Sequence, residues 1–338
     1  MLPQASSLAP RVDGIFWLLS GISIATMVLV GTLVLVFALR YRRGSAAPRG
    51  PVPEKIGDRV EIVWTAATFF VFIFVFWFAA ALDTDQFEVP KNAMEIHVIA
   101  KQWMWKLEHS NGAREINALH VPMGVPVRLV MTSQDVIHSF FVPAFRIKQD
   151  VLPGRYVTAW FKATRTGTFH LFCTEYCGTD HSRMIGGIVV QSPGDYAKWT
   201  AAQPQGDSLA DQGKRLFVQM GCAGCHGPAA RVRAPSLAGV FGRPVPVAAG
   251  GFVQADEAYL RDSILEPQKD VVAGYAPIMP SYQGVASEED VIALVAYLKS
   301  GKVVAGSPDV PDRGAGPPAS AAEEAEARTP RTATGAMR

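Results

Sequence analysis

Four cysteines are the only thiols in the chain, and they fall into two close pairs, Cys173/Cys177 and Cys222/Cys225. The second pair stands in CAGCH, with His226 directly after Cys225. This spacing is the attachment pattern of a c-type haem. Two thiols three positions apart can add to the two vinyl groups of one porphyrin, while the adjacent imidazole reaches the iron from one side. Half a zinc site would need a further Cys or His pair downstream, and none follows. A soft sixth ligand is expected on the other face, because a His/Met pair raises the potential of an electron-transfer haem. Met279, in YAPIMPSYQG, lies at a suitable distance along the chain, whereas Met220 is too close to the attachment site.

The first pair stands in CTEYCGTDHSRM, which places Cys173, Cys177, His181 and Met184 within twelve residues. Soft sulfur combined with imidazole suits copper of the electron-transfer kind. A mononuclear centre needs one cysteine, so two thiolates suggest two coppers sharing both sulfurs. Such a pair needs one more imidazole from elsewhere. His97, His109, His120, His138 and His170 are available, and His138, in SQDVIHSFFVP, is the best placed, at a strand edge. The plainer alternative for both pairs is a disulfide, which an oxidising compartment permits.

These loops need a scaffold, and the composition indicates where it sits. The chain has 338 residues, enough for two or three domains at about 150 residues each. Lys and Arg total 32 against 30 Asp and Glu, for a net charge of +2, which argues against a nucleic-acid-coating protein. Charged residues make up only 18%, well below the roughly 25% of soluble domains. Residues 15–39 and 62–82 carry no charge at all, and each run exceeds the roughly 18 residues of a spanning helix. The first is too long for a signal-peptide core. Between them stand Arg40, Arg42, Arg43, Arg49, Lys55 and Arg59 against Glu54, Asp58 and Glu61. The positive-inside rule puts that loop in the cytoplasm and everything after Leu82 outside it.

Residues 1–87 thus read as a two-helix transmembrane hairpin. Residues 88–191 alternate with period two in MEIHVIA, VRLVMT, VTAWF, TFHLF and GGIVV, punctuated by NG, PMG and PG, which predicts an antiparallel β-sandwich or barrel. Residues 192–207 read as a linker, and 208–303 as a mainly helical unit opening with LADQGKRLFVQ. That unit closes with SEEDVIALVAYLKS behind a Ser287–Asp290 capping box. Residues 304–338, rich in Pro and Ala and without an aromatic, read as a disordered tail.

The helical unit resembles a class I cytochrome c through CAGCH, APSLAGVFGRPV, the Met279–Pro280 pair and the closing helix. That resemblance implies an all-α cytochrome c domain in which the carbonyl of Pro235 accepts a hydrogen bond from His226. From the hairpin through QDVIHSFFVPAFRIKQDVLPGR and CTEYCGTDHSRM, the chain resembles subunit II of the haem–copper cytochrome c oxidases. With the attached haem unit it resembles their caa-type. This implies a cupredoxin-like sandwich holding a dinuclear CuA centre. Cys173 and Cys177 would bridge both coppers, His138 and Met184 would complete one, and His181 with the main-chain carbonyl of Glu175 would complete the other. The Glu175 carboxylate would bind Mg²⁺ at the boundary with subunit I. Trp103, in KQWMWKLEH, would admit electrons, and Glu61 would feed a proton channel.

The resemblance further implies a proton-pumping oxidase, both oxidoreductase and translocase, with subunits I and III as partners. An external donor such as cytochrome c would supply electrons to covalent haem c, then CuA, then subunit I, where O₂ becomes water. Many relatives have an aromatic residue where Met104 stands, so a free cytochrome c has a less complete docking site here. The setting would be a bacterial plasma membrane with both redox domains on the periplasmic side. Two other classes stay open: a CuA-bearing subunit of a nitric oxide reductase, and a membrane-anchored copper-delivery protein.

Overall fold

The computed structural model describes residues 3–203, 207–230 and 232–303. The two uncharged runs form helices α1 (Ala9–Arg40) and α2 (Glu54–Phe87), 32 and 34 residues long. At 1.5 Å per residue they extend about 50 Å, more than the roughly 30 Å of a hydrocarbon core. Both therefore run past their apolar stretches into polar ends. Pro10 in the first turn suits the start of α1, where an amide has no helical partner anyway. Just past its other end the guanidinium of Arg49 donates to the carbonyls of Tyr41 and Arg42.

Twelve short strands follow among the described residues. Ten of them make a sandwich: β1 (Met94–Lys101), β2 (Met104–His109), β3 (Arg114–Ile116), β4 (Ala118–Pro122), β5 (Pro126–Ser133), β6 (His138–Val142), β7 (Ile147–Val151), β8 (Val157–Lys162), β9 (Gly167–Cys173) and β10 (Ile185–Gln191). One sheet has the order β3-β2-β1-β5-β8 and the other β4-β10-β9-β6-β7. The pairings are mostly antiparallel, as the alternation predicts, but β1 runs parallel to β5 and β10 parallel to β4. Those strands are distant in sequence, and only hairpin neighbours are obliged to run antiparallel. Alternate residues point inward from both sheets, so Val98, Trp105, Leu107, Leu129 and Met131 meet Leu119, Phe140, Val142, Leu171 and Ile188 in one core. Turns fall at the expected punctuation, with Gly112, Gly124 and Gly154 at positive φ.

The segment ahead of α1 is part of this sandwich. Ser6 bridges to Ala163, the amide of Ala5 donates to Ala144, and Thr164 donates back to Ala5. Ala5 and Ala9 are fully buried. Asp13, one turn into α1, receives two hydrogen bonds from the Arg146 guanidinium, at 2.8 and 2.9 Å.

The connection expected over 192–207 holds a helix that its composition did not announce. Residues Pro193–Ala202 form helix α3, capped by Ser192, whose hydroxyl accepts from the amide of Asp195. Pro193 and Gly194 read as loop residues, yet proline at the first helical position behind a serine cap is a helix start. The aromatic pair Tyr196 and Trp199, one turn apart, then packs the helix onto the sandwich.

The second compact unit begins at Gly206. It contains α4 (Leu209–Gln219), α5 (Ala223–His226), a small hairpin of β11 (Pro244–Pro246) and β12 (Phe252–Gln254), α6 (Glu257–Leu265) and α7 (Glu288–Lys299). Ser287 and Asp290 form the expected capping box. α4 crosses α7 at Gly213, where a β-carbon would stand 1.9 Å from the carbonyl oxygen of Ala293. Glycine is therefore the residue that this close crossing admits. Phe217, Tyr259, Leu260, Val291, Leu294 and Leu298 fill the core between the helices. The tail expected over 304–338 lies outside the described residues.

Candidate metal centres

The first site is assembled by one strand pairing. β6 and β9 run antiparallel with Phe140 opposite Cys173, which brings His138 at the start of β6 beside Cys173 at the end of β9. The Nδ1 atom of His138 lies 3.8 Å from the Cys173 sulfur. The loop then turns back. Cys177 Sγ is 3.8 Å from Cys173 Sγ, 3.4 Å from His181 Nδ1 and 3.8 Å from Met184 Sδ, and the Glu175 carbonyl oxygen is 3.2 Å from Cys173 Sγ. Every donor thus lies 3.2–3.8 Å from one of two sulfurs. The loop is closed where Met184 accepts from the amide of Cys173, and where Thr174 donates to Ser139. His138, Cys173, Cys177 and Met184 are buried, while the Glu175 carboxylate faces solvent.

The surrounding side chains hold this cage. Nε2 of His138 donates to Asp135 at 2.8 Å, which leaves Nδ1 directed at the sulfur. The other Asp135 oxygen accepts from the amide of Gln102 at 2.8 Å. Gln102 and Trp103 in turn both donate to the carbonyl of Cys177, at 2.7 and 3.1 Å. Gly178 permits this approach, since a β-carbon there would stand 3.0 Å from the Gln102 amide and 3.3 Å from the Trp103 ring. Trp105 is buried and packs edge-on against His138 and Phe140. Asp135 and Gln102 were not singled out from sequence. An acid three residues before a histidine, in QDVIH, was the available signal.

The two thiols ionise very differently. Burial opposes ionisation of Cys173, but His138 and the backbone at Ser139 and Glu175 outweigh it and bring the thiol down to about 6. Burial and then the charge on Cys173 push Cys177 up to about 12. Burial disfavours the imidazolium of His138, yet Cys173 and Asp135 together raise it. Asp135 stays below the usual carboxylate range, because the Gln102 amide and His138 overcome its partial burial.

The second site lies at α5. Cys222 and Cys225 are half-buried, and His226 closes the helix, buried. Its Nδ1 lies 2.9 Å from the carbonyl oxygen of Pro235. Burial lowers the imidazole's basicity, and the Pro235 carbonyl only partly offsets this. A neutral ring with its proton on Nδ1 carries a free lone pair on Nε2, the atom an iron would take. Tyr282 donates to the carbonyl of Met220 at 2.8 Å and stands 4.0 Å from the Cys222 sulfur. Met279 is half-buried in the connection between α6 and α7.

The other predicted residues stand apart from both sites. Glu61 is exposed in the second turn of α2, beside Val60 and Trp64. Of the alternative imidazoles, His97 faces Glu95, His109 and His120 share Glu115, and His170 is exposed against Phe172.

A cupredoxin-like sandwich with a sulfur–imidazole cage, preceded by two spanning helices and followed by a helical cytochrome c unit, defines the class of protein. The family description "Cytochrome C oxidase subunit II, periplasmic domain" matches residues 111–193, and "Cytochrome c" matches residues 210–302. Cytochrome c oxidase subunit 2 of Alkalihalophilus pseudofirmus is 28% identical over 88% of this chain and 91% of its own length. Its counterpart in Thermostichus vulcanus is also 28% identical, over 59% and 77%. The solved periplasmic domain of subunit II of cytochrome oxidase (CoxB) of Bradyrhizobium japonicum is 33% identical. It covers 34% of this chain and 96% of its own, with a TM-score of 0.33. The chain belongs to the cytochrome c oxidase subunit II family, with a fused cytochrome c domain as in the caa type. It is therefore one subunit of a haem–copper oxidase. Membership implies copper of the CuA kind in the sandwich and haem in the helical unit, and the soft donor sets at both sites fit those groups.

Proposed function

We propose that electrons from an external donor such as cytochrome c enter at haem c, pass to CuA and continue to subunit I, where O₂ is reduced to water with proton pumping. The observation that carries this reading is the cage: two free cysteines, two imidazoles, a thioether and a carbonyl oxygen gathered around one pair of sulfurs. Copper and haem iron, when bound, supply reversible one-electron chemistry at the two sites.

The residues divide the work. Cys173 and Cys177 would bridge two coppers, with His138 and Met184 completing one, and His181 and the Glu175 carbonyl the other. Asp135 keeps the Nδ1 lone pair of His138 turned inward, as a carboxylate behind a metal-bound imidazole does. A cage built on strands and closed by backbone hydrogen bonds moves little, so charge changes cost little rearrangement. The Trp103 indole donates to the Cys177 carbonyl, a direct link from the half-exposed ring to a ligand residue that suits electron input. In the helical unit Cys222 and Cys225 would form the thioethers, and His226 and Met279 would hold the iron, with Pro235 orienting His226. Glu61 would take up protons at the cytoplasmic end of α2, and the Glu175 carboxylate would bind Mg²⁺ at the face towards subunit I. Subunit III, a bacterial plasma membrane and periplasmic redox domains complete the assignment.

The copper-to-haem-iron ratio of the detergent-purified chain tests this, with electron paramagnetic resonance of the oxidised sample. Two coppers per covalent haem, with one unpaired electron shared over both coppers, is expected. One copper or none in metallated material, with Cys173 and Cys177 disulfide-linked, would overturn the electron-input reading.

A further inference from the structure

The turn after α1, cytoplasmic by the positive-inside rule, carries charge that neither metal site uses. Residues 40–53 hold Arg40, Arg42, Arg43 and Arg49 and no acid. A basic residue at the end of a helix ordinarily bonds the last carbonyls of that helix. Here other groups supply the donors. The Ser45 hydroxyl donates to the carbonyl of Arg40 at 2.5 Å, and the Ser45 amide donates to that of Arg42 at 3.0 Å. Arg49 donates to the carbonyls of Tyr41 and Arg42, both at 3.1 Å. Gly44, with φ at 85°, lets the chain reverse within this turn. The side chains of Arg40, Arg42 and Arg43 are exposed and make no hydrogen bond or ion pair among the described residues. Together with Leu39 and Ser45 they line one open hollow.

We propose that this hollow binds the phosphodiester headgroup of an anionic phospholipid in the cytoplasmic leaflet. A guanidinium suits phosphate, because its donors meet two oxygens at once and its charge does not titrate. The depth agrees. The uncharged run ends at Leu39, so Arg40, Arg42 and Arg43 stand where the hydrocarbon layer gives way to headgroups. Leu35 and Leu39, one turn apart and 65% and 68% exposed, continue from the hollow as an apolar strip along α1 that an acyl chain can cover. A free phosphate would use the arginines and gain nothing from that strip, which is why the ligand is assigned as a lipid. Each arginine held at an anionic lipid strengthens binding about five-fold, and three together about 100-fold.

The test uses the intact oxidase, stripped of lipid in a neutral detergent, with phosphatidylglycerol as the probe. Trypsin cuts after Arg42 and Arg43, so a headgroup bound there slows cleavage. At about ten times its half-protecting concentration, phosphatidylglycerol should slow cleavage about ten-fold by mass action. Phosphatidylcholine and inorganic phosphate should leave it unchanged. In Arg40→Gln the half-protecting concentration should rise about five-fold, with Arg40→Lys, which keeps the charge without the fork, falling between that variant and the unmodified oxidase. If Arg40→Gln does not assemble, salt decides: from about 50 to 200 mM the half-protecting concentration of the unmodified oxidase should rise several-fold. Equal protection by phosphatidylcholine overturns the inference. Protection by inorganic phosphate overturns it in favour of a free-anion site, and resistance to trypsin without any lipid overturns it in favour of a partner subunit covering the turn. A half-protecting concentration indifferent to Arg40→Gln, or to salt where that variant does not assemble, overturns it as well.

Discussion

The two sulfurs of the sandwich site lie 3.8 Å apart yet differ in acidity because their neighbours differ. Cys173 faces an imidazole and backbone groups that favour the thiolate, whereas Cys177 faces that thiolate. In the metal-free chain Cys173 is protonated below about pH 6 and ionised above it, while Cys177 stays a thiol until about 12. Since the thiolate is the nucleophile, alkylation of Cys173 by iodoacetamide should rise through about pH 6 and level off near neutrality. Cys177 should lag throughout. Mass-spectrometric mapping of the alkylated residue across pH 5–8 checks this, and equal labelling of both cysteines would contradict it. The ligands within CTEYCGTDHSRM were legible because they are local. Asp135 and Gln102 were not, because their partners, His138 apart, are brought to them only by folding.

Among the elements, the join between the membrane hairpin and the sandwich includes one largely buried ion pair beside the backbone bonds of residues 5–7. Arg146 sits at the turn after β6 and meets Asp13 on α1 with both side chains largely buried, 13% and 10% exposed. Arg146→Ala would leave a buried carboxylate without its cation, at a cost of about 3–5 kcal/mol. Thermal unfolding of the detergent-solubilised chain should show this loss, with much of it recovered when Arg146→Gln is combined with Asp13→Asn. A loss below about 0.5 kcal/mol, the scale of an ordinary surface change, would show that the pair carries no load. The strands and capped helices were readable from period and caps. α3 was not, because its stability comes from Tyr196 and Trp199 lying on the sandwich rather than from a long apolar face.

Taken whole, the proposed electron path gives the chain its own donor. On that reading a tethered haem would meet the copper site at an effective concentration on the order of millimolar or above, without relying on long-range attraction. A diffusing donor steered by charge slows as salt screens that attraction over about 10 Å at 0.1 M. Raising ionic strength from about 50 to 200 mM should change haem-to-copper transfer in this chain by less than about two-fold, while electron delivery from a separate cytochrome to a chain truncated after Gln203 falls about ten-fold. Stopped-flow measurements on both forms compare the two slopes, and parallel slopes would contradict it.

By itself the sequence determined the chemistry and the layering: a spanning hairpin, a β-rich unit with a sulfur loop, and a haem-binding helical unit. Such features are local, resting on an uncharged run, a period of two or a spacing of three. What only the tertiary structure decided is which distant groups meet. His138 joins the cage and His97, His109, His120 and His170 do not, because the register of β6 against β9 is set by packing across the whole core. The same packing carries Gln102 and Trp103 to the Cys177 carbonyl and seats Trp199 over His120. Such contacts join residues dozens of positions apart, and local sequence holds no record of them.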